Sequence, residues 1–207
     1  MTQALAGFNE HGLVLATDSR ATRFDPAGRP DFFQVKKLFP LVECCAILSG
    51  GAGVSVPLSL ALRREIARHR GLVELEDLAD FALPFLSRGY EHHLKRHGPE
   101  PEGFRRLYFI LAGPAPDRSP GYALFLLGSE ENELPLKVLP VGQVVVMPRH
   151  LGMEMKLFKA LQAGAPLKEI LDIAKVFLDK MAESKEEVGP PFFFATITAA
   201  GYAEVSP

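Results

Sequence analysis

Gly12-Leu13-Val14-Leu15-Ala16-Thr17-Asp18-Ser19-Arg20-Ala21-Thr22 is the stretch from which the fold is read. Residues 12–17 form a short apolar strand that stops at a polar corner, Asp18-Ser19-Arg20. Upstream, residues 2–8 alternate weakly and meet Asn9-Glu10-His11-Gly12, a hairpin-like turn between two short strands. Downstream, residues 23–32 are rich in Pro, Gly and Asp and read as a loop. Residues 34–39 and 43–48 make a second strand pair, split at Pro40. Ser49-Gly50-Gly51-Ala52-Gly53 then breaks the strand and opens a helix.

Apolar residues at 54, 58, 62 and 66 mark that helix over 54–70. A second amphipathic helix covers 75–97, with Pro84 as an irregularity. Strands follow at 107–112, 122–127, 136–139 and 143–146, then helices at 152–162 and 166–183. A last strand pair covers 192–198 and 201–205. The order is strands, two helices, strands, two helices, strands. It predicts an α+β chain, a four-layer α-β-β-α sandwich of two antiparallel sheets with a helix pair outside each. A βαβ alternation would not place strands in consecutive pairs. Residues 99–103, Pro-Glu-Pro-Glu-Gly, read as a loop inside a single domain spanning 1–207.

Of the 207 residues, 47% are hydrophobic and 23% charged, and the formal net charge is −2, which gives no reason to expect nucleic acid or an anionic membrane as a partner. No apolar run reaches the length of a membrane span. With neither a basic start nor a signal-type apolar stretch, a cytoplasmic location is expected. Cys44 and Cys45 are adjacent, so on a strand they face opposite ways and no structural disulfide is expected.

The chemistry-bearing residues start with Met1-Thr2. Removal of Met1 would put a hydroxyl and a free α-amine on Thr2. An α-amine with an ordinary pKa of about 7.7–8.0 can take the proton of its own hydroxyl. His92, His93 and His97 crowd one helix beside Glu91 and Lys95, but no distant Cys or His completes a ligand pattern and no metal site is expected. Gly50-Gly51-Ala52-Gly53 lacks the Lys-Ser/Thr of a phosphate-binding loop. No cofactor is expected. His150 reads as a helix cap or an exposed side chain, and Phe192-Phe193-Phe194 as a buried strand.

Residues 13–22 resemble the signature of proteasome β subunits, in which a hydrophobic strand runs into Ala-Asp-Ser-Arg-Ala-Thr. Val35-Lys36-Lys37-Leu38 resembles that family's Val-Lys-Lys element, and Ser49-Gly50-Gly51-Ala52 its Gly-rich turn before the first helix. The resemblance is specific over residues 2–53 and otherwise concerns element order. It implies the N-terminal nucleophile hydrolase fold, with Thr2 as nucleophile, Lys37 beside its hydroxyl and Asp18 holding that lysine. It further implies an oxyanion hole at the backbone of Gly50 or Gly51, and substrate backbone contacts at Thr22. Arg20 is expected to brace the loop, and Glu186 to stand where the family has an aspartate. Two family serines are missing, from residues 147–152 and from 185–191.

The function implied is a threonine-type amide or peptide hydrolase. It would act on peptides or unfolded protein inside a ring of identical subunits, with an unfolding ATPase as a partner. The alternatives are a catalytically silent scaffold subunit of the same fold and a small-molecule amidase.

Overall fold

The structure is a computed structural model that describes residues 2–25, 27–99 and 105–207. Met1, and all of the 99–103 loop but Pro99, lie outside the described residues. Among the described residues three sheets form, all antiparallel. The first has the order β10-β1-β2-β11-β12, with β1 Ala4–Asn9, β2 Gly12–Thr17, β10 Val144–Met147, β11 Phe193–Thr198 and β12 Gly201–Val205. The second is a two-stranded ribbon of β3 Arg20–Phe24 and β4 Pro30–Gln34. The third has the order β5-β6-β7-β8-β9, with β5 Leu38–Val42, β6 Cys45–Gly51, β7 Leu107–Pro114, β8 Tyr122–Ser129 and β9 Lys137–Leu139. The four helices among the described residues are α1 Ser55–Ile66, α2 Leu75–His97, α3 Leu151–Gln162 and α4 Leu167–Ser184.

The expected four-layer α-β-β-α sandwich of two sheets is therefore corrected to three sheets of five, two and five strands with four helices. The difference lies in residues 20–34, expected to be mostly loop. Their ribbon is closed at its base by Val35 N–H donating to the Ser19 carbonyl at 2.8 Å. At its tip the Asp25 carboxylate accepts the N–H groups of Ala27 and Arg29 at 2.8 and 2.9 Å. Every ribbon residue is exposed or only half-buried, so the segment lacks the apolar alternation by which strands are usually read.

Apolar contact is divided into three clusters. Leu13, Leu15, Ala46, Leu48, Ile110 and Ala195 bring together residues of both five-stranded sheets. Ile47, Phe109 and Leu127 pack with Leu62, Leu78 and Leu86 of α1 and α2. Leu5, Val14 and Val146 pack with Leu157, Ile170 and Leu178 of α3 and α4. β1 and β2 are buried along their whole length, on both faces, which is why they read as near-continuous apolar runs. Pro40 is accommodated on edge strand β5, where the register shifts between Pro40 and Val42.

Candidate functional site

Thr2 lies immediately before β1 and is buried. Asp18 follows the end of β2, antiparallel to it, so the hairpin brings the two ends together: Asp18 N–H donates to the Gln3 carbonyl at 3.1 Å, and Gln3 N–H donates back to Asp18 Oδ1 at 2.9 Å. Arg20 N–H donates to Asp18 Oδ2 at 3.0 Å. Lys37, just before β5, reaches the same carboxylate from the other five-stranded sheet, with Nζ 2.9 Å from Oδ1. Its second acceptor is the Arg20 carbonyl at 2.7 Å. Both side chains are almost wholly buried, at 0% and 3% exposure for Asp18 and Lys37.

A buried ion pair with that many directed hydrogen bonds is held rather than merely attracted. Burial pushes the Asp18 carboxyl up and the Lys37 ammonium down from their ordinary values; their mutual attraction and hydrogen bonds work against both shifts. The outcome is a lysine that gives up a proton more readily than a solvated one, in a fixed position.

Thr2 and Lys37 line one cleft of about 320 Å³. Its remaining walls come from Arg20, Ala21 and Thr22 of the ribbon, Phe33 and Val35, and Gly51, Ala52, Gly53, Ser55, Val56, Pro57 and Leu60 around the start of α1. The wall is mainly apolar. Thr22 Oγ1 is buried there with no hydrogen-bond partner in the described structure. Gly51 reaches the cleft, whereas Gly50 does not line it. Gly51 has φ +86°, and a Cβ there would collide with the Arg106 carbonyl, so glycine is required on two counts.

Gly50 has a different role. It pairs with Tyr108 across β6 and β7, and a Cβ at this position would strike the Tyr108 ring and hydroxyl. Because Gly50 leaves that space, the Tyr108 hydroxyl can donate to the Thr2 carbonyl at 3.1 Å, with the Met147 carbonyl as a longer second acceptor at 3.4 Å. Sequence reading missed Tyr108, which sits in an apolar strand. Its only signal is a phenol hydroxyl in a buried run, which needs a partner.

Solved structures include a likeness. Over its whole length the chain matches a structure described as the Anbu (Gly-1) mutant from Hyphomicrobium sp. strain MC1. The match covers 86% of that chain, with a TM-score of 0.62 and 17% identity. At that identity the likeness shows the fold alone. No protein-family model matches the chain, and no curated protein does.

The expected place in the proteasome β-subunit family is corrected accordingly. The motifs that suggested it are confined to residues 2–53, where one hairpin and one ion pair impose local demands. No family model matches the chain, and among the solved structures it resembles is Anbu, in a β-rich arrangement of three sheets among the described residues.

The supporting residues are arranged differently from expectation. Glu186 is exposed, and it is its backbone carbonyl, not its carboxylate, that accepts Arg20 Nη1 at 2.6 Å. Arg20 also stacks its guanidinium over Phe32, 5.5 Å from the ring centroid, and fills the space where a Cβ of Gly189 would be. Ser19 N–H donates to the Gly189 carbonyl at 3.2 Å. Arg20 thus clamps the 186–189 turn against the corner that carries Asp18. His150 caps α3, with Nδ1 accepting Met153 N–H at 3.1 Å and its ring edge-on to Phe177. Cys44 and Cys45 are both free thiols. Among the described residues, no helix is long and apolar enough to cross a membrane.

Proposed function

We propose that the chain is an amide hydrolase of the N-terminal threonine type, acting on peptides or unfolded protein. The observation that carries this reading is the buried Lys37–Asp18 pair opening onto the same cleft as Thr2. Cleavage of the bond before Thr2 frees its α-amine. The amine takes the hydroxyl proton as the oxygen attacks the substrate carbonyl, and the Lys37 charge lowers the cost of the developing alkoxide. The Gly51 backbone, at the approach to α1, is where the oxyanion would be received. Collapse of the tetrahedral adduct breaks the C–N bond, and the leaving amine takes the proton. The Thr2 ester is then hydrolysed by water, which regenerates the hydroxyl.

The apolar wall of Ala21, Phe33, Val35, Val56 and Leu60 supports a substrate with an uncharged apolar side chain next to the scissile bond. The two cations at the cleft are already engaged, Lys37 by Asp18 and Arg20 by the Glu186 carbonyl. The Lys37 charge is balanced by Asp18, whereas Arg20, bonded to a neutral carbonyl, keeps its own. Self-association into a closed homo-oligomer is part of the proposal. It is supported by the apolar stripe Leu151, Met155 and Phe158 on the exposed side of α3. An unfolding ATPase partner and a cytoplasmic location remain proposals of the same reading.

A silent scaffold subunit is the second reading. What favours it is the 186–189 turn, which offers Arg20 a carbonyl and leaves the Glu186 carboxylate exposed, so no acid there supports the Thr2 amine. The deciding experiment combines intact mass with capture by a threonine-reactive electrophile. The hydrolase reading expects protein whose mature N-terminus is Thr2 to be labelled at that residue, and Thr2→Ala to lose both label and peptide hydrolysis. Protein that begins at Thr2 yet takes no label would establish the scaffold reading.

A further inference from the structure

We propose that the groove between α3 and α4 is a binding site for a medium-chain carboxylate. The groove has a volume of about 230 Å³ and is floored by Met153 of α3 and by Ile173, Phe177 and Met181 of α4. Val176 borders it and is 48% exposed. Residues three and four apart share one face of a helix, so these α4 side chains make one continuous apolar strip. From Ile173 to Met181 the strip runs about 12 Å, at about 1.5 Å per residue. None of Leu151, Met155 and Phe158, the stripe assigned to self-association, lines the groove.

The charges that line the groove are of one sign. Lys156 and Lys180 are exposed there and form no ion pair among the described residues. No lining residue is acidic. Glu154 on α3 is held by Arg149 at 3.2 Å, and Asp179 on α4 by Lys175 at 3.1 Å. His150 adds an uncharged donor. Its Nδ1 accepts Met153 N–H at 3.1 Å, so the neutral ring carries its proton on Nε2. That N–H has no hydrogen-bond partner among the described residues. The ring is set edge-on to Phe177, with centroids 5.1 Å apart.

An apolar strip bordered by two unmatched ammonium groups and an N–H donor fits a ligand with an apolar tail and an anionic, hydrogen-bond-accepting head. The volume sets the tail. With each methylene taken as about the size of one water, about 30 Å³, the groove holds about seven or eight of them. A two-chain lipid is too large. A phosphate head is commonly clamped by guanidinium forks, and no arginine lines the groove. A single-chain carboxylate meets each of these conditions, and its occupancy would tie α3 to α4.

The test is a titration of the full chain, with isotope-labelled methionine methyl groups, by octanoate below its micelle concentration. The expected result is saturable shifts at the Met153 and Met181 methyls, none at Met155, and one octanoate per chain by calorimetry. Butanoate should bind about tenfold more weakly or worse, because fewer methylenes leave water. 1-Octanol, with the same tail and no charge, should bind about fivefold more weakly. Lys156→Gln and Lys180→Gln should each weaken octanoate binding about two- to fivefold, as expected of exposed charge pairs, and leave octanol binding unchanged. Val176→Glu places a carboxylate in the groove at an exposed position and should abolish octanoate binding, while Val138→Glu on edge strand β9 should not alter it. Circular dichroism checks that the variants keep their fold. The proposal is overturned if no saturable shift is seen, if octanol binds as tightly as octanoate, or if octanoate binding survives Val176→Glu. It is also overturned if the Met153 and Met181 methyls shift with protein concentration and not with octanoate, which would make the groove a contact between copies of the chain.

Discussion

Removing one partner of the Asp18–Lys37 pair should expose how tightly the two five-stranded sheets are linked at the site. In Asp18→Asn the Lys37 ammonium loses its counter-charge and keeps only neutral acceptors, and one of the backbone N–H groups of Gln3 and Arg20 faces an amide nitrogen in place of a carboxylate oxygen. Breaking a buried pair in this way costs about 3–5 kcal/mol near neutral pH. Lys37→Met instead leaves a buried carboxylate with two backbone donors, and its cost should be smaller because Asp18 can take up a proton.

The two variants should respond to pH in opposite directions. Burial already sets Lys37 below its ordinary value, and without Asp18 it falls further. The unfolded chain then holds more protons than the folded one, so the stability of Asp18→Asn rises with pH toward the ordinary lysine value of about 10.4. In Lys37→Met the carboxyl, already raised by burial, rises further because the lysine that lowered it is gone. The folded chain then holds the extra proton, and stability is greatest below the ordinary value of about 3.9 and falls as pH rises through the raised one. Urea unfolding at about pH 5, 7 and 9 reads both slopes. The double variant should lose much less than the sum of the singles and respond to pH less than either. If each single costs under about 1 kcal/mol, with additive effects and parallel slopes, the pair behaves like a surface ion pair and the buried linkage is wrong.

Tyr108→Phe should unfold within about 1–1.5 kcal/mol of the parent, the net worth of one hydrogen bond, yet lower kcat more than KM in a peptide assay because Thr2 loses its brace. Gly50→Ala should be destabilised by about 1–3 kcal/mol through collision with the Tyr108 ring, and thermal melts should show most of that loss relieved in Gly50→Ala combined with Tyr108→Leu. Burial, helped by the neighbouring Cys44 and by Glu74 and Glu76, pushes the Cys45 thiol up to about 12. Its contribution to stability is thus whole below the ordinary thiol value and is lost as pH rises toward that figure; with a thiol reagent near neutral pH, Cys44 should react fast and Cys45 only on unfolding.

Sequence and structure agree where one physical demand dominates a segment and part where two compete. Residues 12–17 are buried on both faces, so an uninterrupted apolar run could only be a strand, and β2 begins and ends where expected. The helix over 75–97 was equally plain because its apolar stripe is long. Asp18 and Lys37 stand out in the sequence only through the resemblance of residues 13–22 and 35–38 to a family motif; their pairing, 19 positions apart, is a fact of the fold. The ribbon from Arg20 to Gln34 was hidden because it buries little on either face, and its turn residues look the same in a hairpin tip and a loop. Gly50 and Gly51 illustrate the remaining limit. Side by side in sequence, both read as room for an incoming carbonyl. In the fold, Gly51 borders the cleft with a positive φ, while Gly50 makes room for Tyr108, 58 positions away by the numbering and fixed opposite it only by the pairing of β6 with β7. A glycine reports that space is needed; which group needs it is decided by strand register, and that is a property of the whole sheet.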